Sequence, residues 1–218
     1  MSAKDHSVGS DAGDRAVHWF QENRRRMTIG ASIVVLIGGG TWFTRSARIR
    51  QERFAEGELS QARVAAQSGN LQLAASDLGR IINTYPNTGP GQEAVILLAN
   101  VHLRQSQPEL AVSELRDLMS RGPEAYLEGP AAGLLGNALE ELGRFAEAAD
   151  AYDQAADGVG YDLIRSMYLM DVARSAALAG DTDRAAAAYE TIIEEDQDET
   201  AVGEATFRLA ELRRSAVQ

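Results

Sequence analysis

Alanine recurs every 37 residues, at Ala74, Ala111, Ala148 and Ala185, and the residues around each follow one pattern. With each marker alanine set as position 20 of its unit, position 8 is Ala62, Ala99, Gly136, Ala173 and, in a truncated fifth unit, Ala210. Position 24 is Leu78, Leu115, Tyr152 and Tyr189, and position 27 is Ile81, Leu118, Ala155 and Ile192. Position 7 reads Gln61, Leu98, Leu135, Val172 and Leu209. A fixed period between about 20 and 50 residues marks a stack of supersecondary units, each too small to bury a core alone. The spacings within a unit are helical, so the expectation is an all-α solenoid.

Each position has a physical reason. Small residues at 8 and 20 let two antiparallel helices, A and B, approach closely, while large apolar residues at 7, 24 and 27 fill the space beside that contact. Position 15 is Gly69, Ser106, Gly143 and Gly180, suited to the left-handed conformation that ends helix A. Pro86 and Pro123 at position 32 would stop helix B; Gly160 and Gln197 stand there in the later units. The pattern resembles the tetratricopeptide repeat, whose usual period is about 34 residues. The three additional residues are expected to lengthen the link from helix B to the next helix A, as in Tyr85-Pro86-Asn87-Thr88-Gly89-Pro90. Four helix pairs are expected, followed by a capping helix from Thr200 to Val217 with Phe207, Leu209, Ala210 and Leu212 facing inward.

Ahead of the repeats, Met27 to Phe43 carries no charge and is framed by Arg24, Arg25 and Arg26 on one side and Arg45, Arg48 and Arg50 on the other. As a helix it would be about 26 Å long, just under a bilayer's hydrocarbon core, and flanking arginines can reach outward to make up the difference. The reading is a single transmembrane helix. A signal-peptide cut after Ala47 would place Arg45 where a small residue is needed, and a chain without cysteine cannot be lipidated at one. The organisation expected is a polar tail over residues 1–23, a transmembrane anchor with basic flanks over 24–50, and the solenoid over 51–218. Basic residues balance on the two sides of the span, so charge leaves its orientation open; the short tail is expected inside and the solenoid outside.

Charge separates along the chain. Total net charge is −11; residues 1–53 carry nine basic and five acidic residues, which leaves −15 for the remainder. So acidic a solenoid is a poor partner for nucleic acid. The histidines, His6, His18 and His102, form no metal-ligand spacing. His102, at position 11, is expected in or half in the core. The acidic run Glu194, Glu195, Asp196, Asp198 and Glu199 lacks the glycine turn of a calcium loop and reads as a solvated link. No nucleophile, base and orienting acid assemble, nor any phosphate loop. The expectation is a non-enzyme with no cofactor, no metal and no small-molecule substrate.

In tetratricopeptide proteins the concave face is lined by helix A positions 2, 5, 9, 12 and 13. That resemblance implies a peptide groove built from Arg63, Ile96, Asn100, Leu103, Arg104, Asn137, Glu140, Met170 and Arg174, with Leu59, Gln67, Glu141, Met167 and Leu178 on the same face. Asn100 and Asn137 share position 9, where side-chain amides can pair with the backbone of an extended peptide. No lysine stands beside them.

The layout as a whole resembles the YfgM-like ancillary subunits of the SecYEG translocon. The resemblance rests on Trp19-Phe20-Gln21-Glu22-Asn23-Arg24 before the apolar run and on Tyr85-Pro86-Asn87-Thr88 ahead of an alanine-rich helix A. It implies a bacterial inner-membrane protein with a cytoplasmic N-terminus and a periplasmic, chaperone-like solenoid. The implied partners are SecYEG and a membrane-anchored prolyl isomerase. An envelope-organising Tol-Pal-type repeat protein, or a scaffold facing the cytoplasm, would share the same solenoid.

Overall fold

The computed structural model describes residues 46, 48–160, 162–196 and 198–215. The tail expected over 1–23 lies outside the described residues, as does the anchor expected over 24–50 except at 46 and 48–50. The chain divides into two compact units, Met1–Arg50 and Gln51–Gln218; the fold below is that of the second. Among the described residues no helix is long and apolar enough to cross a membrane.

Residues 51–67 form α1. The helices that follow are α2 (Leu71–Thr84), α3 (Gly89–Arg104), α4 (Pro108–Ser120), α5 (Ala125–Glu141), α6 (Phe145–Asp157), α7 (Asp162–Leu178), α8 (Thr182–Glu195) and α9 (Glu199–Ser215). No strand occurs among the described residues. Odd-numbered helices are the A helices of units one to four, even-numbered ones their B partners, and α9 is a lone A helix.

One turn is used four times. Gly69, Ser106, Gly143 and Gly180 all have positive φ, between 58° and 83°. Each donates its N–H to the carbonyl three residues back, as Gly143 does to Glu140 at 2.8 Å and Gly180 to Ala177 at 3.1 Å. The next residue reaches five back: Asn70 to Ala65, Gln107 to His102, Arg144 to Leu139 and Asp181 to Ala176, at 2.9–3.0 Å. These paired bonds are the Schellman ending, which satisfies carbonyls left over at a helix C-terminus. The same residue then starts helix B: Asn70 accepts from the Leu73 N–H, and Asp181 from the Arg184 N–H.

The link from helix B to the next helix A is short, which corrects the expectation. Thr88 caps α3 by accepting from the Gly91 N–H at 3.1 Å, and Pro90 sits within the first turn, where a missing N–H costs nothing. Gly89 and Pro90 therefore belong to the helix, and the longer period is absorbed in A helices of 16 or 17 residues. Gly91 is required there, because a Cβ would stand 1.9 Å from the Tyr85 carbonyl oxygen.

Marker positions form the core. Ala74, Ala111, Ala148 and Ala185 are fully buried, as are Ala62, Ala99 and Ala173 opposite them. Gly136 takes the same role in unit three: a Cβ there would meet the Tyr152 ring at 2.5 Å, so the glycine makes room for an aromatic that is fully buried. Leu78, Leu115 and Ile192 complete the layer, each contributing about 1.5–3 kcal/mol by burial.

Successive units stack through positions 3, 7 and 10 of helix A. Position 10 is fully buried at Val101, Ala138 and Ser175, yet Val64 of unit one is 63% exposed. Gln61 at position 7 is exposed as well. Unit one has no preceding helix B among the described residues, so this stripe of α1 is bare. At the other end, the inward list for the capping helix needs correction. Ala205 and Leu209 are buried and Leu212 half-buried, but Phe207 is 56% exposed and Ala210 is exposed. Ala210 occupies position 8, which packs only where a helix B follows, and Phe207 occupies position 5 on the concave side.

Candidate functional site: the concave groove

The A helices of four consecutive units line a cavity of about 520 Å³ on the concave side. From α1 come Arg63, Ala66 and Gln67; from α3 come Glu93, Ile96, Leu97, Asn100 and Arg104. Pro130, Gly133, Leu134 and Asn137 of α5 form the next wall, and Tyr168 of α7 closes the end. The cavity is thus part apolar and part polar, the usual make-up of a recognition groove.

Its polar groups are held by neighbours. Arg63 bonds Glu93 across units and Glu56 along its own helix, the latter at 3.3 Å. Burial works against its charge, but those hydrogen bonds and the two carboxylates outweigh it and hold the guanidinium above its ordinary pKa. Arg104 donates to the Ala66 carbonyl at 2.8 Å, tying the end of α3 to the end of α1. The Tyr152 hydroxyl donates to Asn137 Oδ1 at 2.6 Å, which leaves the amide nitrogen as the donor that the groove can use. Burial, then the charges of Glu140 and Asp171, push the Tyr152 phenol well above its usual range, so it stays a donor.

Five of the nine residues placed in the groove by sequence line this cavity: Arg63, Ile96, Asn100, Arg104 and Asn137. The other four lie elsewhere. Leu103 and Met170 pack against the larger core cluster. Glu140 and Arg174 bond to each other at 2.7 Å, with Asp171 on the other side of the guanidinium at 2.6 Å and the buried Ser175 hydroxyl donating to Glu140. Position 9 therefore lines the groove in units one to three, as an ion-paired arginine in the first and as asparagines in the next two, whereas Arg174 of unit four lies outside it, paired with Glu140 and Asp171. Leu59, placed on the same face, is fully buried.

Ala66, Glu93, Leu97, Pro130, Gly133, Leu134 and Tyr168 also line the cavity and were missed. Glu93 and Pro130 occupy position 2 and Gly133 position 5, both groove positions, so the spacing held their signal. Tyr168 had none. It stands at position 3, where Ala94, Ala131 and Ala205 are buried, and its ring lies over Gly133. His102 is half-buried, as expected, between Gln107 at 3.0 Å and Glu114 at 3.4 Å. Among the described residues no group of His, Cys, Asp and Glu is placed to hold a metal ion.

The family described as "tetratricopeptide repeat-like domain" matches residues 48–167, more than half of the chain. Nothing among curated protein sequences matches it. Solved structures are similar in fold. Nearly identical TPR-like repeats of a putative kinesin light chain from Podosopora anserina share 16% identity at a TM-score of 0.60, over 77% of this chain and 89% of that one. PilF of Pseudomonas aeruginosa shares 18% at 0.58, over 77% and 72%. MamA of Desulfovibrio magneticus shares 21% at 0.53, over 66% and 78%.

Proposed function

The chain belongs to the tetratricopeptide repeat-like family, and on that premise we propose that it is a protein-interaction scaffold that holds an extended segment of a partner in the groove of units one to three. The observation that carries this is the pair Asn100 and Asn137, one repeat apart on the cavity wall, with Asn137 oriented by Tyr152. Amides at that spacing offer donors and acceptors to a peptide backbone while Ile96, Leu97 and Leu134 meet its side chains. The scaffold performs no covalent step in this reading.

The setting we propose is the bacterial inner membrane, with the Met27–Phe43 run as a single-pass anchor and the solenoid in the periplasm beside SecYEG and a membrane-anchored prolyl isomerase, acting on secreted chains as they fold. Its support is sequence resemblance: the Trp19-Phe20 segment, the arginines that frame the uncharged run, and Tyr85-Pro86-Asn87-Thr88.

A photo-crosslinker placed at Asn100 tests the groove, with the exposed Glu109 of α4 as the convex control. Adducts are expected from Asn100 and not from Glu109; equal labelling from both would end the groove reading. Crosslinking from positions 45–53 should recover translocon components. Protease added to spheroplasts should digest the solenoid, and protection would place it in the cytoplasm. A mature N-terminus near Ala47 would instead favour the Tol-Pal-type protein.

A further inference from the structure

The rim of the groove changes chemistry halfway along the solenoid. Positions −2 and 2 of each A helix lie one turn apart at its N-terminal end, on one face. In units one and two they are Glu52, Glu56, Gly89 and Glu93; in units three and four they are Tyr126, Pro130, Leu163 and Met167. Tyr126, Leu163 and Met167 are 57–61% exposed. This apolar strip meets the cavity at Pro130, which lines it.

Tyr126 is where the two halves meet. Its hydroxyl lies over the start of α3, 2.6 Å from where a Cβ on Gly89 would be. Burial, and then the charges of Glu124, Glu93, Glu56 and Glu52, raise its phenol above the ordinary value. Carboxylates from α1, α3 and the link before α5 therefore gather around one exposed aromatic edge. Arg63 bonds Glu56 and Glu93, and Glu52 and Glu124 have interactions of their own, so the cluster is acidic by count and not by any carboxylate standing alone. Arg104 is about 16 Å away along α3, bonded to the Ala66 carbonyl.

We propose that the groove receives an extended segment in which basic residues adjoin an apolar run, the basic end over Glu56, Glu93 and Glu124 and the apolar run against Tyr126, Pro130 and Met167. This rests on the groove reading above and specifies its ligand. Charge decides among occupants. Residues beyond 53 carry a net −15, so their field draws cations in and repels both acidic segments and a second copy of the solenoid. The apolar strip supplies the affinity that charge in water does not, through area removed from solvent.

Two fluorescein-labelled peptides with the same apolar run, one opening with three arginines and the other with three glutamates, test this by anisotropy against the full chain. The arginine peptide should bind at least about tenfold more tightly, a gap of about 1.4 kcal/mol. Glu56→Gln with Glu93→Gln should narrow that gap, and Leu163→Ser with Met167→Ser should weaken the arginine peptide; all four side chains are at least partly exposed, glutamine can still accept from Arg63, and thermal unfolding of each variant checks that it folds. Equal binding of the two peptides, still weakened by Asn100→Ala with Asn137→Ala, would overturn the inference and leave the groove standing. Binding of neither peptide, or binding indifferent to the asparagines, would overturn both.

Discussion

The ring of Tyr168 occupies the space that a side chain on Gly133 would need: a Cβ there would lie 2.5 Å from its Cε1 and 2.8 Å from its hydroxyl oxygen. The two belong to successive A helices, α5 and α7, so a large residue in one unit is accommodated by the absence of one in its neighbour. Gly133→Ala should therefore destabilise the chain even though alanine favours helix by about 1 kcal/mol. In a Tyr168→Ala background the same change should stabilise it. Urea denaturation of the four proteins measures the coupling, expected at about 1–2 kcal/mol; additive effects would mean that the ring moves aside freely.

Ser106 carries the left-handed turn that glycine carries in the other three units, with φ of 58°. That conformation costs a residue with a Cβ roughly 1–2 kcal/mol, against the 0.5–1 kcal/mol of extra backbone entropy that glycine loses. Ser106→Gly should stabilise the chain by about 0.5–1 kcal/mol and Gly143→Ser should destabilise it by as much. Thermal unfolding of both variants checks the pair, and opposite signs are required.

Glu140 links Arg174 to the buried hydroxyl of Ser175. Glu140→Ala leaves that hydroxyl without its acceptor, at a cost of about 1–3 kcal/mol. Arg174 keeps Asp171, so the loss should come mainly from Ser175. Glu140→Gln retains an acceptor and should recover most of the stability; equal losses in the two variants would assign the effect to charge.

Glu114 gives a pH signature. Burial raises its carboxyl above the ordinary value, partly opposed by the charge of His102 and the bond to it. A carboxyl with a raised native pKa binds protons more readily folded than unfolded. Its charge therefore costs stability at neutral pH, and that cost is relieved as pH falls through the native value toward the unfolded one, near 4.5. Stability of wild type relative to Glu114→Gln should rise as pH is lowered from 7 to about 4.5. A difference that does not change with pH would show that the carboxyl titrates normally.

The helix pairs were legible because their determinants repeat. A small residue at 8 and 20, a left-handed residue at 15 and a large apolar at 24 act within one unit, so any window of 37 residues displays them. The helix B to helix A link was misread because Pro90 suggests a loop, whereas Thr88 before it makes it a helix start. The groove was legible as a set of positions but not as a cavity. Whether position 9 faces solvent depends on what the neighbouring unit brings: Asn100 and Asn137 stay in the open, while Arg174 meets Glu140. Tyr168 depends on the same thing, since only Gly133, 35 residues earlier, lets it stand at an alanine position.

The bare stripe on α1 gives the solenoid a soft end. A unit flanked on both sides opens only if two interfaces part, whereas among the described residues unit one has a single interface to lose. Amide hydrogens should exchange fastest in α1 and α2 and slowest in α5 and α6, as a gradient and not as one event. Unit one also supplies Arg63, Ala66 and Gln67 to the cavity. The mouth of the groove is thus its most yielding wall, and a partner that settles there would quiet the fraying of α1.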